Sequence, residues 1–128
     1  MIWQYFCQEA VRQDDENQFS KNETVSDSLP SILKELYLNF DPVDVEVAYQ
    51  GNGLRFVPYS ELEDYQREYE MPEEAVVFAT CNSNPFFFKE GKVYTKAHDD
   101  SKTVPELISE SMEEFVLLLF PKEDEKRV

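Results

Sequence analysis

Few residues in this chain have the right chemistry and spacing to act on a substrate, and most of them lie between Ala75 and Phe120. Cys81 follows an apolar run and has Asn82 and Asn84 beside it; His98, the single histidine, is followed by Asp99 and Asp100. A Cys–His pair would be a nucleophile with its base. That chemistry needs a thiol pKa lowered by a cation or a helix N-terminus, and the neighbourhood is acidic. One imidazole with two carboxylates is too small a set for a zinc centre, and His98-Asp-Asp lacks the spaced carboxylates of a calcium loop. The expectation is therefore a packing thiol at Cys81 and an exposed acidic turn at 98–100, with no catalytic residue, metal or cofactor. With 27 Asp plus Glu, carboxylate pairs suited to glycoside hydrolysis carry no information without geometry. The 3 glycines form no phosphate-cradling loop, since Gly51 and Gly53 share one turn.

The charge balance speaks to partners rather than chemistry. Twelve Lys plus Arg against 27 Asp plus Glu leave a net charge of −15. Such a chain repels nucleic acid, whose binding rests on Lys and Arg displacing counterions. It repels anionic membrane surfaces for the same reason. A basic protein would instead be attracted, and its encounter accelerated; simple solubility explains the same charge equally well. Cys7 and Cys81 suit two reduced, buried thiols better than a bridge in a chain with this much apolar material. The opening residues Met1 to Cys7 lack a basic signal-peptide start, and no apolar run approaches a membrane span. A cytoplasmic location is expected, where the Asn22-Glu23-Thr24 sequon would go unused.

The elements that position these residues follow from hydrophobic period. Trp3, Phe6, Cys7 and Ala10 share a helical face within Ile2 to Val11. Arg12 to Asp27 is polar and acidic and reads as a connection, anchored by Phe19 and Val25. A helix opens at Leu29-Pro30, Pro30 suiting a first turn, with Leu29, Ile32, Leu33, Leu36, Tyr37 and Phe40 on one face. Asp41-Pro42 stops it. The period then becomes 2 over Val43, Val45, Val47 and Tyr49, predicting one half-buried strand. A turn at Gly51-Asn52-Gly53 leads to a partner strand from Leu54. Ser60 with Glu63 matches a capping box ahead of a short exposed helix bearing Leu62, Tyr65 and Tyr69.

Ala75 to Thr80 is a central strand by its continuous apolar run. Phe86-Phe-Phe and Val93-Tyr-Thr make a hairpin about Glu90-Gly91. Three successive aromatics must face both sides of a sheet. Burial under helices is the expectation, and an exposed contact patch at Phe87 or Tyr94 the alternative. Two capping boxes compete to start the last helix, Thr103 with Glu106 and Ser111 with Glu114, the apolar face running through Ile108, Met112, Phe115, Val116 and Leu119. The whole predicts a single α+β domain over 1–128, with a mostly antiparallel central sheet flanked by N-terminal and C-terminal helices. Residues 1–24 form an N-terminal helix with an acidic linker, and 122–128 a charged tail.

The order of these pieces resembles the SUKH superfamily, which includes bacterial immunity proteins of polymorphic toxin systems and yeast cell-wall synthesis regulators. The residues that carry the likeness are Leu29-Pro30 opening a helix, Gly91-Lys-Val-Tyr94 as a strand after the sheet core, and Ser111-Met-Glu-Glu-Phe115 starting the last helix, over about residues 25–120. Met112 stands where that family usually has Phe. Asp41-Pro42 replaces its Gly-Gly, and Asn82-Ser-Asn-Pro85 replaces its Gly-Asp. The resemblance implies a SUKH-like fold and a non-catalytic protein that neutralises a cognate toxin, often a nuclease, by direct contact. A regulatory scaffold or ligand-binding module of the same fold is the alternative it carries. For a basic toxin the contact surface is expected on the acidic and aromatic rim at Tyr59, Glu61, Glu63 and Asp64, with Asp99 and Asp100.

Overall fold

The structure is a computed structural model that describes residues 2–97 and 104–122. These residues form an α+β domain around a six-stranded antiparallel sheet, with a small two-stranded sheet beside it. The helices are α1 (Ile2–Gln13), α2 (Ser31–Asn39), α3 (Leu62–Glu68) and α4 (Met112–Leu119). The strands are β1 (Gln18–Ser20), β2 (Asp41–Asp44), β3 (Glu46–Tyr49), β4 (Asn52–Phe56), β5 (Ala75–Cys81), β6 (Asn84–Lys89), β7 (Lys92–Thr95) and β8 (Glu106–Ser109). The large sheet runs β3-β4-β5-β6-β7-β8, so each strand pairs with its neighbour in sequence. No helix among the described residues is long and apolar enough to cross a membrane.

Local sequence explains how the sheet is folded up. Three of its hairpins turn on two residues that both have positive φ: Gln50-Gly51 (49° and 79°), Asn82-Ser83 (51° and 69°) and Glu90-Gly91 (52° and 81°). This is the backbone twist that matches two right-twisted strands. The first turn thus precedes the expected position, and Asn52 and Gly53 belong to β4. Glycine meets the positive φ at no steric cost in two of the turns. Ser83 has no such freedom, and the Tyr69 hydroxyl donates to its carbonyl at 2.6 Å, holding the turn in place.

One face of the sheet carries the aromatic core. Phe6 on α1 lies 4.6 Å from Phe56 on β4, which is 5.8 Å from Phe78 on β5. Phe115 on α4 meets Phe78 at 5.6 Å and Phe86 at 5.9 Å. Trp3 donates its indole N–H to the Ile32 carbonyl at 2.7 Å, tying α1 to α2. Phe86, Phe87 and Phe88 are all buried, Phe87 stacking on half-buried Tyr94 at 5.6 Å. Burial, and not an exposed patch, is what the triple phenylalanine does.

Several expected elements are placed differently. Residues 12–27 are more than a connection: α1 runs to Gln13 and Gln18–Ser20 forms β1, paired antiparallel with β2. The expected strand from Val43 to Tyr49 divides at Val45, because Asp41–Asp44 pairs in the small sheet and Glu46–Tyr49 in the large one. Val43 is accordingly exposed while Val45 and Val47 are buried. Pro30 sits one residue ahead of the helix, its carbonyl accepting from Leu33 and Lys34 N–H groups. Ser60 does not cap a helix. A 3-10 turn at Tyr59–Glu61 precedes α3 and places Ser60 inside the helical stretch, without a side-chain cap bond.

Of the two competing boxes, Ser111 starts α4, its hydroxyl accepting the Glu114 N–H at 3.1 Å. Ile108 lies on β8, not on that helix. Thr103 and residues 123–128 of the tail lie outside the described residues.

Candidate functional site

Along a strand, successive side chains leave by opposite faces. Phe56 faces α1, so its neighbour Arg55 faces the other side, and α3 covers it there. Arg55 donates to the Tyr65 hydroxyl at 3.2 Å and pairs with Glu61 at 3.4 Å. Gln66 fastens α3 to the sheet. Its amide donates to the Ala75 carbonyl at 2.8 Å, and its side-chain oxygen accepts the Val77 N–H at 2.7 Å. One glutamine thus closes two ladder positions of β5.

The four rim residues expected on this segment come together. Tyr59 is the anchor: its ring packs on Tyr37 at 5.7 Å, its N–H donates to Asp41, and its hydroxyl accepts the Ser26 N–H at 2.8 Å. Glu61 is half-exposed and paired with Arg55. Asp64 is exposed and pairs with exposed Arg67 one helical turn on, at 3.1 Å. Glu63 is exposed and has no ion-pair partner among the described residues. The carboxylates continue through exposed Glu68, Glu70, Glu73 and Glu74, with Arg67 the one cation from residue 61 to 74. Asp99 and Asp100, the other expected contact residues, lie outside the described residues, as does His98.

Beside this acidic ridge is a groove of about 460 Å³. Leu29, Leu62 and Val76 give it an apolar floor; Ser26, Ser28, Tyr59 and Ser60 bring hydroxyls, and Glu63 and Glu73 bring carboxylates. Sequence reasoning found Tyr59 and Glu63 but missed the wall from Ser26 to Leu29, which comes from over thirty residues away and has no local pattern.

It missed Asp41 too, reading Asp41-Pro42 only as a helix stop. Asp41 is buried, and its carboxylate accepts from Tyr59 N–H at 3.0 Å and from the Asn22 amide at 2.9 Å. Asn22 also donates to the Tyr37 carbonyl at 2.8 Å, so the amide nitrogen that a sequon would offer for glycosylation is spent inside the fold. Asp41 thus joins the segment before α2 to the 3-10 turn. Tyr37 donates to the Val57 carbonyl at 3.0 Å, and burial, with the Asp41 charge nearby, holds its phenol far above the ordinary value.

Cys81 is buried, and its thiol is pushed up first by burial and then by the Glu46 carboxylate. That is the reverse of the activation a nucleophile needs. Burial also raises the thiol of Cys7, and both cysteines are free. Among the described residues no three His, Cys, Asp or Glu side chains gather as metal ligands. No protein-family model, curated protein or solved structure matches this chain.

Proposed function

We propose that this chain is an immunity-type binding protein that neutralises a cognate toxin domain by direct contact, with the ridge from Tyr59 to Glu74 as its docking face. The observation that carries the proposal is the ridge itself. Its carboxylates stand on and after a short helix pinned to the sheet by Gln66, and most of them have no cation to answer them among the described residues. A surface of one charge sign steers an oppositely charged partner and selects against the wrong one. A nuclease fits as the toxin class, because gripping nucleic acid requires a basic groove. The likeness of Leu29-Pro30, Gly91-Lys-Val-Tyr94 and Ser111 to Phe115 to the SUKH superfamily points the same way. A neutralising protein works in the cytoplasm of the bacterium that makes the toxin and needs no catalytic residue of its own.

The groove beside the ridge favours one other reading, a regulatory or ligand-binding module of the same fold, since its volume falls within the range of small-molecule sites, roughly 300–1,000 Å³. Co-expression with a candidate toxin domain, sought among the genes next to this one, separates the two. The immunity reading expects surviving cells and a co-eluting complex on a sizing column. Killing without a complex removes that reading for the pair.

A further inference from the structure

The groove between Ser26–Leu29 and α3 has the chemistry of a receptor for one kind of side chain. Its apolar floor and its carboxylates call for a ligand that is apolar along its length and positive at its end. Leu62 and Val76 in the floor are buried, each with a small remaining exposure of 7% and 8%. Glu63 and Glu73 are both exposed and come from different elements, α3 and the loop before β5. Neither is spent on a cation of this chain among the described residues. The hydroxyl side is held open by bonds of its own: Ser26 Oγ lies 2.7 Å from Ser28 Oγ, and Tyr59 accepts the Ser26 N–H.

A neutral apolar ligand would leave both carboxylates facing it unanswered. An anion would be repelled by them and by the ridge. Lysine and arginine side chains lay their methylene stems along apolar surface and keep a charged head at the edge. Arginine adds a planar fork that suits a carboxylate.

We propose that this groove receives an arginine or lysine side chain of a protein partner, the stem on Leu62 and Val76 and the head at Glu63 and Glu73. The inference rests on the reading of this face as a partner-binding surface, and names what the partner must present. It also divides the ridge: its other carboxylates attract at long range, and Glu63 and Glu73 hold one residue at contact.

The test is a titration of the ¹⁵N-labelled protein with acetyl-Gly-Arg-Gly-amide, and with the same peptide carrying citrulline, an uncharged shape-mimic of arginine. Saturable shifts are expected at the amides of Ser26, Ser60, Leu62 and Val76. The citrulline peptide should give none, and Glu63→Gln with Glu73→Gln should weaken binding about tenfold or more, as loss of charge-assisted contacts would. Both glutamates are exposed, so the double variant keeps the fold and its spectrum reports that directly. Absence of shifts overturns the inference. Shifts spread equally over distant acidic residues such as Asp14 and Glu113 overturn it too, as does binding unchanged in the double variant. A groove that takes the peptide while the toxin still kills keeps this inference and removes the immunity reading. A toxin neutralised equally well by the double variant does the opposite.

Discussion

The two faces of the sheet spend their side chains in opposite ways. On the α1 and α4 face, Phe6, Phe56, Phe78, Phe86 and Phe115 meet one another ring to ring beneath the two helices. On the α3 face the sheet buries Phe87, but the helix itself adds little. Leu62 is the only buried side chain of the helix, and its attachment depends on Gln66, Arg55 and Tyr69 as hydrogen-bond donors and acceptors. Stability therefore belongs to the first face, and the second is the one proposed for recognition. A helix held by a few polar clips can carry a row of like charges that a packed core could not tolerate.

The largest test of that division is Phe78→Ala. Phe78 is fully buried and touches Phe56 and Phe115. Urea unfolding should show a loss of about 3–5 kcal/mol, as large aromatic truncations do. A much smaller loss would mean the aromatic face is not where the stability lies.

Next comes Asp41→Ala, at the junction of the two regions. It strips the acceptor from the Tyr59 N–H and the Asn22 amide, and should cost roughly 3 kcal/mol, the scale of hydrogen bonds to a charged group. Hydrogen exchange should accelerate around Ser26 and Tyr59 before it does in β5. Uniform acceleration would deny Asp41 its role as the link.

Tyr37 gives a smaller effect that depends on pH. The folded chain keeps its phenol protonated where the unfolded chain releases the proton, near the ordinary value of 10.0. Below that pH the contribution is complete; above it the unfolded state binds fewer protons, and stability falls as pH rises. Tyr37→Phe should lack this component of the fall. At neutral pH it should cost about 1–2 kcal/mol for the bond to the Val57 carbonyl. Parallel pH curves for the two proteins would count against it.

The division also explains what could be read from the chain alone. The apolar faces of α1 and α2, the apolar run of β5 and the turn at Glu90-Gly91 are written in local period and turn residues, so the α+β antiparallel design was legible. The split at Val45 was not, because alternation records which side a residue faces and not which sheet its strand joins. The edge of β3 was hidden for a similar reason. Glu46 and Ala48 N–H groups are taken by the side chains of Asn17 at 2.9 Å and Gln13 at 2.8 Å, polar residues that read only as linker. They occupy donors that would otherwise form an open strand edge. Half of the candidate site was visible as the charge run after Tyr59. The wall from Ser26 to Leu29 and the Asp41 hub exist only through tertiary contact.

The claim that the α3 ridge is the docking face, and not merely part of an acidic surface, has one direct measurement. Association of the toxin domain that co-expression identifies is followed with Glu63→Lys/Asp64→Lys/Glu68→Lys and, at equal net charge, with Asp14→Lys/Asp15→Lys/Glu16→Lys. All six positions are exposed, and each variant gives up one surface contact, the Glu16 N–H to Asp14 bond or the Arg67–Asp64 pair, so circular dichroism of both should match the parent. Reversing the ridge should slow association and weaken the complex at least about tenfold more than reversing the 14–16 turn, because charge at a contact face acts on both encounter and complex. Equal effects from the two triple variants, or none from the ridge, would contradict the assignment.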